Sequence, residues 1–260
     1  MNQTLKERAV RFAEQQYGMY GEIVLNNSRS SSSAEEKTNL LTTGDSMSLF
    51  GEEQESSQFA QKLRGINEEW VEADSLDRLE QIICNCRKCP LWETRNKFVF
   101  GTGNPDADIV VIGEAPGADE DRQGEPFVGA AGKLLTKILE AINLSREDVY
   151  ICNILKSRPP GNRRPEPSEI EACIPYLYKQ LDLIKPRFIL ALGLTAAKSL
   201  TGTSKAMKDL RGTVHEWHGI PMIITYHPAA LLRNPQWKRP TWEDVQLLRR
   251  LYDESHGTQS

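Results

Sequence analysis

Four short, nearly unbroken apolar runs do most to limit what this chain can fold into. They are Asp108-Ile109-Val110-Val111-Ile112, ending at Gly113; Val149-Tyr150-Ile151-Cys152-Asn153-Ile154; Phe188-Ile189-Leu190-Ala191-Leu192, ending at Gly193; and Met222-Ile223-Ile224-Thr225-Tyr226. A strand with water on one face alternates apolar and polar residues, so continuous apolar runs predict strands covered on both faces. The covering elements are legible between the runs. Leu134, Leu135, Ile138, Leu139 and Ile142 recur at helical spacing, as do Ile170, Ile174, Leu177, Leu181 and Ile184. Leu194–Leu200 reads as a short helix and Trp242–Tyr252 as a closing one. Strands alternating with helices predict an α/β fold, a three-layer α/β/α sandwich around a central, mostly parallel four-stranded sheet. Such sheets bind ligands beyond the carboxyl ends of their strands. Three segments should therefore meet in one crevice: Gly113–Gly117 after the first strand, Asn153 at the end of the second and His227 after the fourth.

The rest of the chain is organised around that unit. Residues 1–25 are expected to hold a short helical segment, residues 26–57 a disordered acidic and Ser-rich linker, and residues 58–255 the folded domain. Helical character returns after residue 58 through Leu63, Ile66, Trp70, Val71, Leu76, Leu79, Ile82 and Ile83. The net charge of −4 hides an asymmetry: residues 1–80 carry 8 basic against 15 acidic side chains, residues 157–240 carry 13 against 6. A basic half favours a phosphate-rich partner by counterion release, although a plain solvated surface carries the same signal. No apolar run approaches the roughly 20 residues that span a bilayer, so no membrane partner is expected. The opening residues MNQTLKERAVRF lack an apolar signal core, and the expected location is the cytoplasm. There a Cys-x-x-Cys pair such as Cys86–Cys89 points to metal or redox chemistry more than to a disulfide.

Each element of the predicted crevice has an ordinary structural reading as well. Gly113-Glu114-Ala115-Pro116-Gly117 suits a tight turn, His227-Pro228 a turn with a structural histidine, and Asn153 a loop cap. Their shared position beyond strand ends favours a site. The motifs also occur in a particular order. Cys86-Arg-Lys-Cys89 precedes Phe100-Gly-Thr-Gly-Asn-Pro105, the Gly113–Gly117 turn, and Gly124-Glu-Pro-Phe-Val-Gly-Ala-Ala-Gly132. Asn153-Ile-Leu-Lys, Arg158-Pro-Pro-Gly-Asn-Arg163, Cys173 and His227-Pro-Ala-Ala-Leu-Leu-Arg233 follow. In that order and spacing, roughly residues 80–250 resemble the family 4 uracil-DNA glycosylases, the iron–sulfur branch of that superfamily.

The resemblance implies a monofunctional enzyme that hydrolyses the N-glycosidic bond of deoxyuridine in DNA. Uracil-containing DNA is the implied partner and a monomer is expected. His227 would donate to uracil O2 as negative charge builds there. Asn153 would accept from uracil N3–H and donate to O4, a pattern that cytosine reverses. Phe127 would stack on the extruded base, its neighbours Gly124, Pro126 and Gly129 marking a loop. Gly113, Ala115 and Gly117 would approach the base or sugar through their backbone. Glu114 would orient water or stabilise the sugar cation. Other glycosylase families place an aspartate where this chain has Ala115, so Asp119, Glu120 and Asp121 are further candidates for that task. Leu231 or Leu232 is expected to fill the gap left by the base, and Arg158, Arg163, Arg164, Arg233, Lys238 and Arg239 to meet phosphates.

The family's [4Fe–4S] cluster uses four cysteines. Cys86, Cys89 and Cys173 match that pattern, and Ser157, sixteen residues before Cys173, stands at the remaining position. The fourth ligand is open between Ser157, Cys84 and Cys152, and loss of the cluster is the other outcome. Cys152 neighbours Asn153 on a strand, so the two side chains point to opposite faces. Two other classes share some features. A non-catalytic nucleic-acid-binding module with a metal-stabilised loop explains the basic half and the cysteines. A metal-dependent phosphohydrolase explains Glu114, Asp119, Glu120 and Asp121. Neither accounts for His227, Asn153 and Phe127 together. The acidic tail is expected either to bind a replication or repair partner or to act as a tether.

Overall fold

The computed structural model describes residues 58–257, so the expectations for residues 1–25 and 26–57 lie outside the described residues. The four predicted runs form strands β2 (Ile109–Gly113), β3 (Tyr150–Asn153), β4 (Phe188–Leu192) and β6 (Ile220–Thr225). They lie parallel in the order β3-β2-β4-β6. The sheet has six strands rather than four. β1 (Thr102–Gly103) pairs antiparallel with β3, and β5 (Val214–Trp217) antiparallel with β6. Neither edge strand has a legible pattern: β1 has two residues, and β5 is Val-His-Glu-Trp with three of its four side chains partly or fully in water. Short, polar edges of this kind discourage pairing with other chains.

Alternate residues of each strand feed alternate cores, as the pleat requires. Val110, Ile112, Cys152, Ile189, Ala191, Met222 and Ile224 pack on one face. That face is covered by α1 (Gln58–Leu63), α2 (Leu76–Ile83), α5 (Pro167–Ile184) and α6 (Leu194–Thr201). Ile109, Val111, Ile151, Phe188, Leu190 and Ile223 pack on the other, under α4 (Ala130–Ala141) and α9 (Lys238–Gly257). The result is the three-layer sandwich. Three shorter helices complete it: α3 (Ala118–Gln123), α7 (Met207–Leu210) and α8 (Pro228–Arg233). No helix among the described residues is long and apolar enough to cross a membrane.

Register decides what the carboxyl edge presents. Gly113 pairs with Asn153, and Leu192 pairs with Thr225, two residues before His227. The ladder runs on past the strands, with Ile154 N–H donating to Gly113 O and Leu155 N–H to Glu114 O, both at 3.1 Å. The end of β6 is tied to α9 through a fully buried carboxylate. Thr225 Oγ1 donates to Asp244 Oδ2 at 2.7 Å, and Arg211 Nε and Nη2 donate to its two oxygens at 3.1 and 3.0 Å. Burial raises the Asp244 pKa, opposed by these donors. Removing one partner from such a group strands the others in a dry interior. Asp244→Ala should therefore destabilise the fold by about 3–5 kcal/mol. Urea denaturation measures this, and a loss below about 1 kcal/mol would show that the network holds nothing together.

Candidate functional site

A cavity of about 350 Å³ opens at the carboxyl edge. One wall is the turn after β2, with Glu114, Ala115, Pro116 and Gly117; Asn153 closes the base. Phe127, His227 and Arg233 complete the lining. The structure thus brings the three predicted segments together. Gly113 is required by contact: a Cβ there would stand 2.3 Å from Asn153 Oδ1 and 2.7 Å from Phe127 Cζ.

Asn153 is 2 % exposed, and its Oδ1 is the only buried side-chain oxygen or nitrogen without a hydrogen-bond partner among the described residues. An unsatisfied acceptor costs about 1–3 kcal/mol, so its persistence at a cavity base points to a ligand that brings a donor. His227 precedes α8 and caps it, Nδ1 accepting from Ala229 N–H at 3.1 Å. That bond fixes the tautomer, because Nδ1 cannot accept and carry the proton in a neutral ring. The proton of the neutral imidazole is therefore on Nε2. Burial, helped by the Arg233 charge, lowers the His227 pKa to about 4, so the ring is neutral at physiological pH. Its ring stacks on Phe127, with centroids 5.5 Å apart and planes at 30°.

Phe127 belongs to a loop, with φ 55°, and yet is buried at 6 % exposure at the top of the α4–α9 core. Two charged groups hold that loop. Arg146 donates to Phe127 O at 3.2 Å and Pro126 O at 2.9 Å. Glu120 accepts from Val128 N–H, Gly129 N–H and Gly117 N–H at 3.0, 3.1 and 3.1 Å. One carboxylate thus clamps two walls of the cavity to each other.

Several expectations change here. Glu120 and Asp121 are not free to activate water: Glu120 is committed to three amides, and Asp121 accepts from the backbone and side chain of Asn96. Asp119 pairs with Arg122 at the surface, which leaves Glu114 as the cavity's remaining carboxylate candidate. Leu231 is 1 % exposed and belongs to the interior, whereas Leu232 is 50 % exposed. Adjacent helical positions point about 100° apart, so only one of the pair can face outward. Arg163 lines the cavity with its guanidinium already engaged by Glu169, at 2.9 and 2.5 Å, rather than free for a phosphate. Arg158 donates to Asn162 Oδ1 at 2.7 Å, while Arg164 and Arg233 are exposed.

The cysteines gather on the far side of β3. Cys86, Cys89 and Cys173 are near one another, and burial pushes the Cys173 thiol up to about 12. Cys86 Sγ accepts from Tyr176 Oη at 3.2 Å and Cys173 Sγ from Lys156 N–H at 3.4 Å. Ser157 faces the group but its hydroxyl accepts from Arg95 Nη1 at 3.2 Å. The same guanidinium donates to Cys86 O at 2.8 Å and Cys84 O at 3.1 Å. Cys84 Sγ is turned to Gln81 O, and Cys152 is 1 % exposed inside the sheet core. Among the described residues no three His, Cys, Asp or Glu side chains are grouped as ligands of a metal ion. Arg95 and the Glu120 clamp carry no motif and were invisible to pattern reading.

Comparison with known proteins follows the same outline. The profile of the Uracil DNA glycosylase superfamily matches residues 100–247. A type-4 uracil-DNA glycosylase of Archaeoglobus fulgidus is 45% identical over 193 residues, covering 71% of this chain and 97% of that protein. One of Thermotoga maritima is 41% identical over 181 residues, covering 68% and 94%. A type-5 uracil-DNA glycosylase of Thermus thermophilus is 31% identical over 174 residues, covering 59% and 77%.

The clamp can be tested without any substrate. Glu120→Ala should release the amides of Gly117, Val128 and Gly129 to faster hydrogen exchange and cost about 1–3 kcal/mol of stability. Unchanged exchange at those three amides would remove Glu120 from this role.

Proposed function

This chain belongs to the Uracil DNA glycosylase superfamily, and we propose that it is a monofunctional uracil-DNA glycosylase. It hydrolyses the N-glycosidic bond of deoxyuridine in DNA, releases uracil and leaves an abasic site. The observation that carries this reading is the pairing of one orphaned acceptor with one fixed donor in a single cavity. Asn153 Oδ1 awaits an N–H, and His227 Nε2–H awaits an oxygen. Uracil offers both on one edge, at N3 and O2. Cytosine presents an acceptor at ring position 3 and an amino group at position 4, so it would leave Asn153 mismatched.

A base inside a duplex cannot reach such a cavity, so the nucleotide is extruded first. Leu232, exposed beside the site, fills the gap that remains, and Arg158, Arg164 and Arg233 meet the flanking phosphates. Phe127 supports the plane of the base. As the glycosidic bond lengthens, positive charge grows on the sugar and negative charge on the uracil ring. The His227 proton stays on Nε2 and its hydrogen bond to O2 strengthens, with no transfer required. Glu114 faces the sugar from the β2 turn, where it orients water or balances the cation. No lysine lines the cavity among the described residues, in keeping with hydrolysis rather than a Schiff base.

Excision from a uracil-containing oligonucleotide, read as alkali-labile strand breaks, tests the reading. His227→Ala should lower kcat by about 10²–10³-fold. Because burial holds the His227 pKa near 4, protonation should impair the enzyme only as pH falls towards that value. An acidic limb centred at the ordinary imidazole value, about 6.5, would contradict the neutral-donor role. Wild-type protein that leaves the oligonucleotide intact would refute the reading as a whole.

The cysteine group extends the proposal. Its donor types, three thiols with an alcohol at the fourth position, suit an iron–sulfur cluster that Cys86, Cys89 and Cys173 would hold with Ser157 beside it, once side chains not grouped as ligands in this structure turn towards it. When bound, the cluster would supply a cross-link between the loop after α2 and helix α5. Protein purified without oxygen should contain iron and sulfide and absorb in the visible region. Cys173→Ala should abolish both signals. Wild-type protein lacking both would end the cluster reading while leaving the glycosylase reading untouched.

A further inference from the structure

Lys156 is the largest fully buried side chain of the described residues, at 0 % exposure, and neither the cavity nor the reaction above uses it. Burying an amine in a dry interior costs free energy unless its donors are met, whereas an apolar chain of equal volume would pack there without penalty. Its contacts show what it holds. Nζ donates to the backbone oxygen of Asn153 at 2.7 Å and to Gln180 Oε1 at 2.6 Å. Gln180, on α5, in turn donates from Nε2 to Phe100 O at 3.1 Å and to Tyr150 Oη at 3.3 Å. The backbone of Lys156 is held too: its N–H donates to Cys173 Sγ at 3.4 Å and its carbonyl accepts from Val99 N–H at 2.9 Å.

The sheet explains why the Asn153 carbonyl needs a side-chain donor. Ile154 N–H turns towards β2, where it meets Gly113 O. Successive backbone groups of a strand alternate direction, so Asn153 C=O points to the other edge. That edge belongs to β1, but β1 has only two residues and its pairing stops at Ile151. The last residue of β3, the one that reads the base, has no neighbouring strand on that side. An N–H of Lys156 Nζ takes the place of the missing strand N–H, and Gln180 braces it against α5.

We propose that Lys156 is a positioning residue for base recognition: by holding the Asn153 carbonyl where β1 is too short to reach, it fixes where the Asn153 side chain points into the cavity. This rests on the reading of Asn153 as the base-reading residue. A small rotation of the Asn153 peptide would swing Oδ1 away from the N3–H position, while surfaces that grip DNA elsewhere would be unaffected.

The test compares full-length wild type with two variants, each checked for folding by circular dichroism and Tm. The probes are inhibition of excision by free uracil, kcat and KM on a uracil-containing oligonucleotide, and Kd for an undamaged oligonucleotide. Lys156→Met keeps the volume and removes the donor. It should weaken uracil inhibition and lower kcat by about 10- to 100-fold, the cost of leaving one buried carbonyl without its donor, with undamaged-DNA Kd within about 2-fold of wild type. Gln180→Glu keeps an acceptor for Lys156 Nζ but gives up the donor to Phe100 O and Tyr150 Oη. It should lower Tm yet hold uracil inhibition within about 2-fold, because the Asn153 contact survives. If both variants lose uracil inhibition in proportion to their loss of Tm, Lys156 is merely structural and the proposal is overturned. Equal uracil inhibition in Lys156→Met and wild type overturns it as well. Should Lys156→Met not fold, the ¹⁵Nζ resonance of Lys156 in wild-type protein decides: it should shift when free uracil saturates the cavity, and an unmoved resonance defeats the proposal. Wild type that neither excises nor binds uracil fails the functional reading itself, an outcome distinct from all of these.

Discussion

The pairing of Gly113 with Asn153 across two parallel strands is the constraint from which the rest of the site follows. It brings the turn after β2 and the end of β3 to the same height, so backbone and side chain line one cavity. It also leaves no room for a side chain at Gly113, where a Cβ would strike Asn153 Oδ1. A slip of one residue would turn Asn153 to the opposite face of the sheet, where Cys152 now sits. Two buried cores hold the register, and the hydrogen bonds that continue it to Leu155 carry the order of the sheet into the turn.

Around this pair the protein uses partly or fully buried polar side chains for position. Glu120 gathers three amides from two loops, Arg146 holds the carbonyls of Pro126 and Phe127, and Lys156 holds the carbonyl of Asn153. None of these contacts needs to touch a base. Each keeps a wall of the cavity from relaxing in the absence of ligand, which is the form of preorganisation that electrostatic catalysis requires. The neutral His227 belongs to the same design. Burial that lowers its pKa also strengthens a hydrogen bond made from its Nε2–H.

On the proposed cluster reading, Ser157 of the cysteine corner stands where the family pattern has a thiol, and the structure shows what holds it there. Ser157 is too short and too weak an acid to reproduce a thiolate, and Arg95 ties its hydroxyl to the carbonyls of Cys84 and Cys86. The guanidinium therefore joins the same two segments that a fourth ligand would have joined. Through Lys156 N–H and Cys173 Sγ the corner continues, one residue on, into the segment that supports Asn153.

The sequence by itself determined the four buried strands, the helices that cover them, and the convergence of Asn153, His227 and the Gly113 turn. Each rests on periodicity within one element or on the rule that parallel sheets bind at their carboxyl ends. It did not determine the two edge strands, since β1 is shorter than any period and β5 is polar. Nor did it separate Leu231 from Leu232, adjacent residues whose fates depend on how α8 is rotated against its neighbours. The partners of Glu120, Arg95 and Lys156 were likewise decided only in three dimensions. Arg95 meets Ser157 across 62 positions of chain and Lys156 meets Gln180 across 24. Periodicity reports which side of an element is dry. Which charged group meets which backbone atom depends on register and helix placement, and those exist only once the layers have packed.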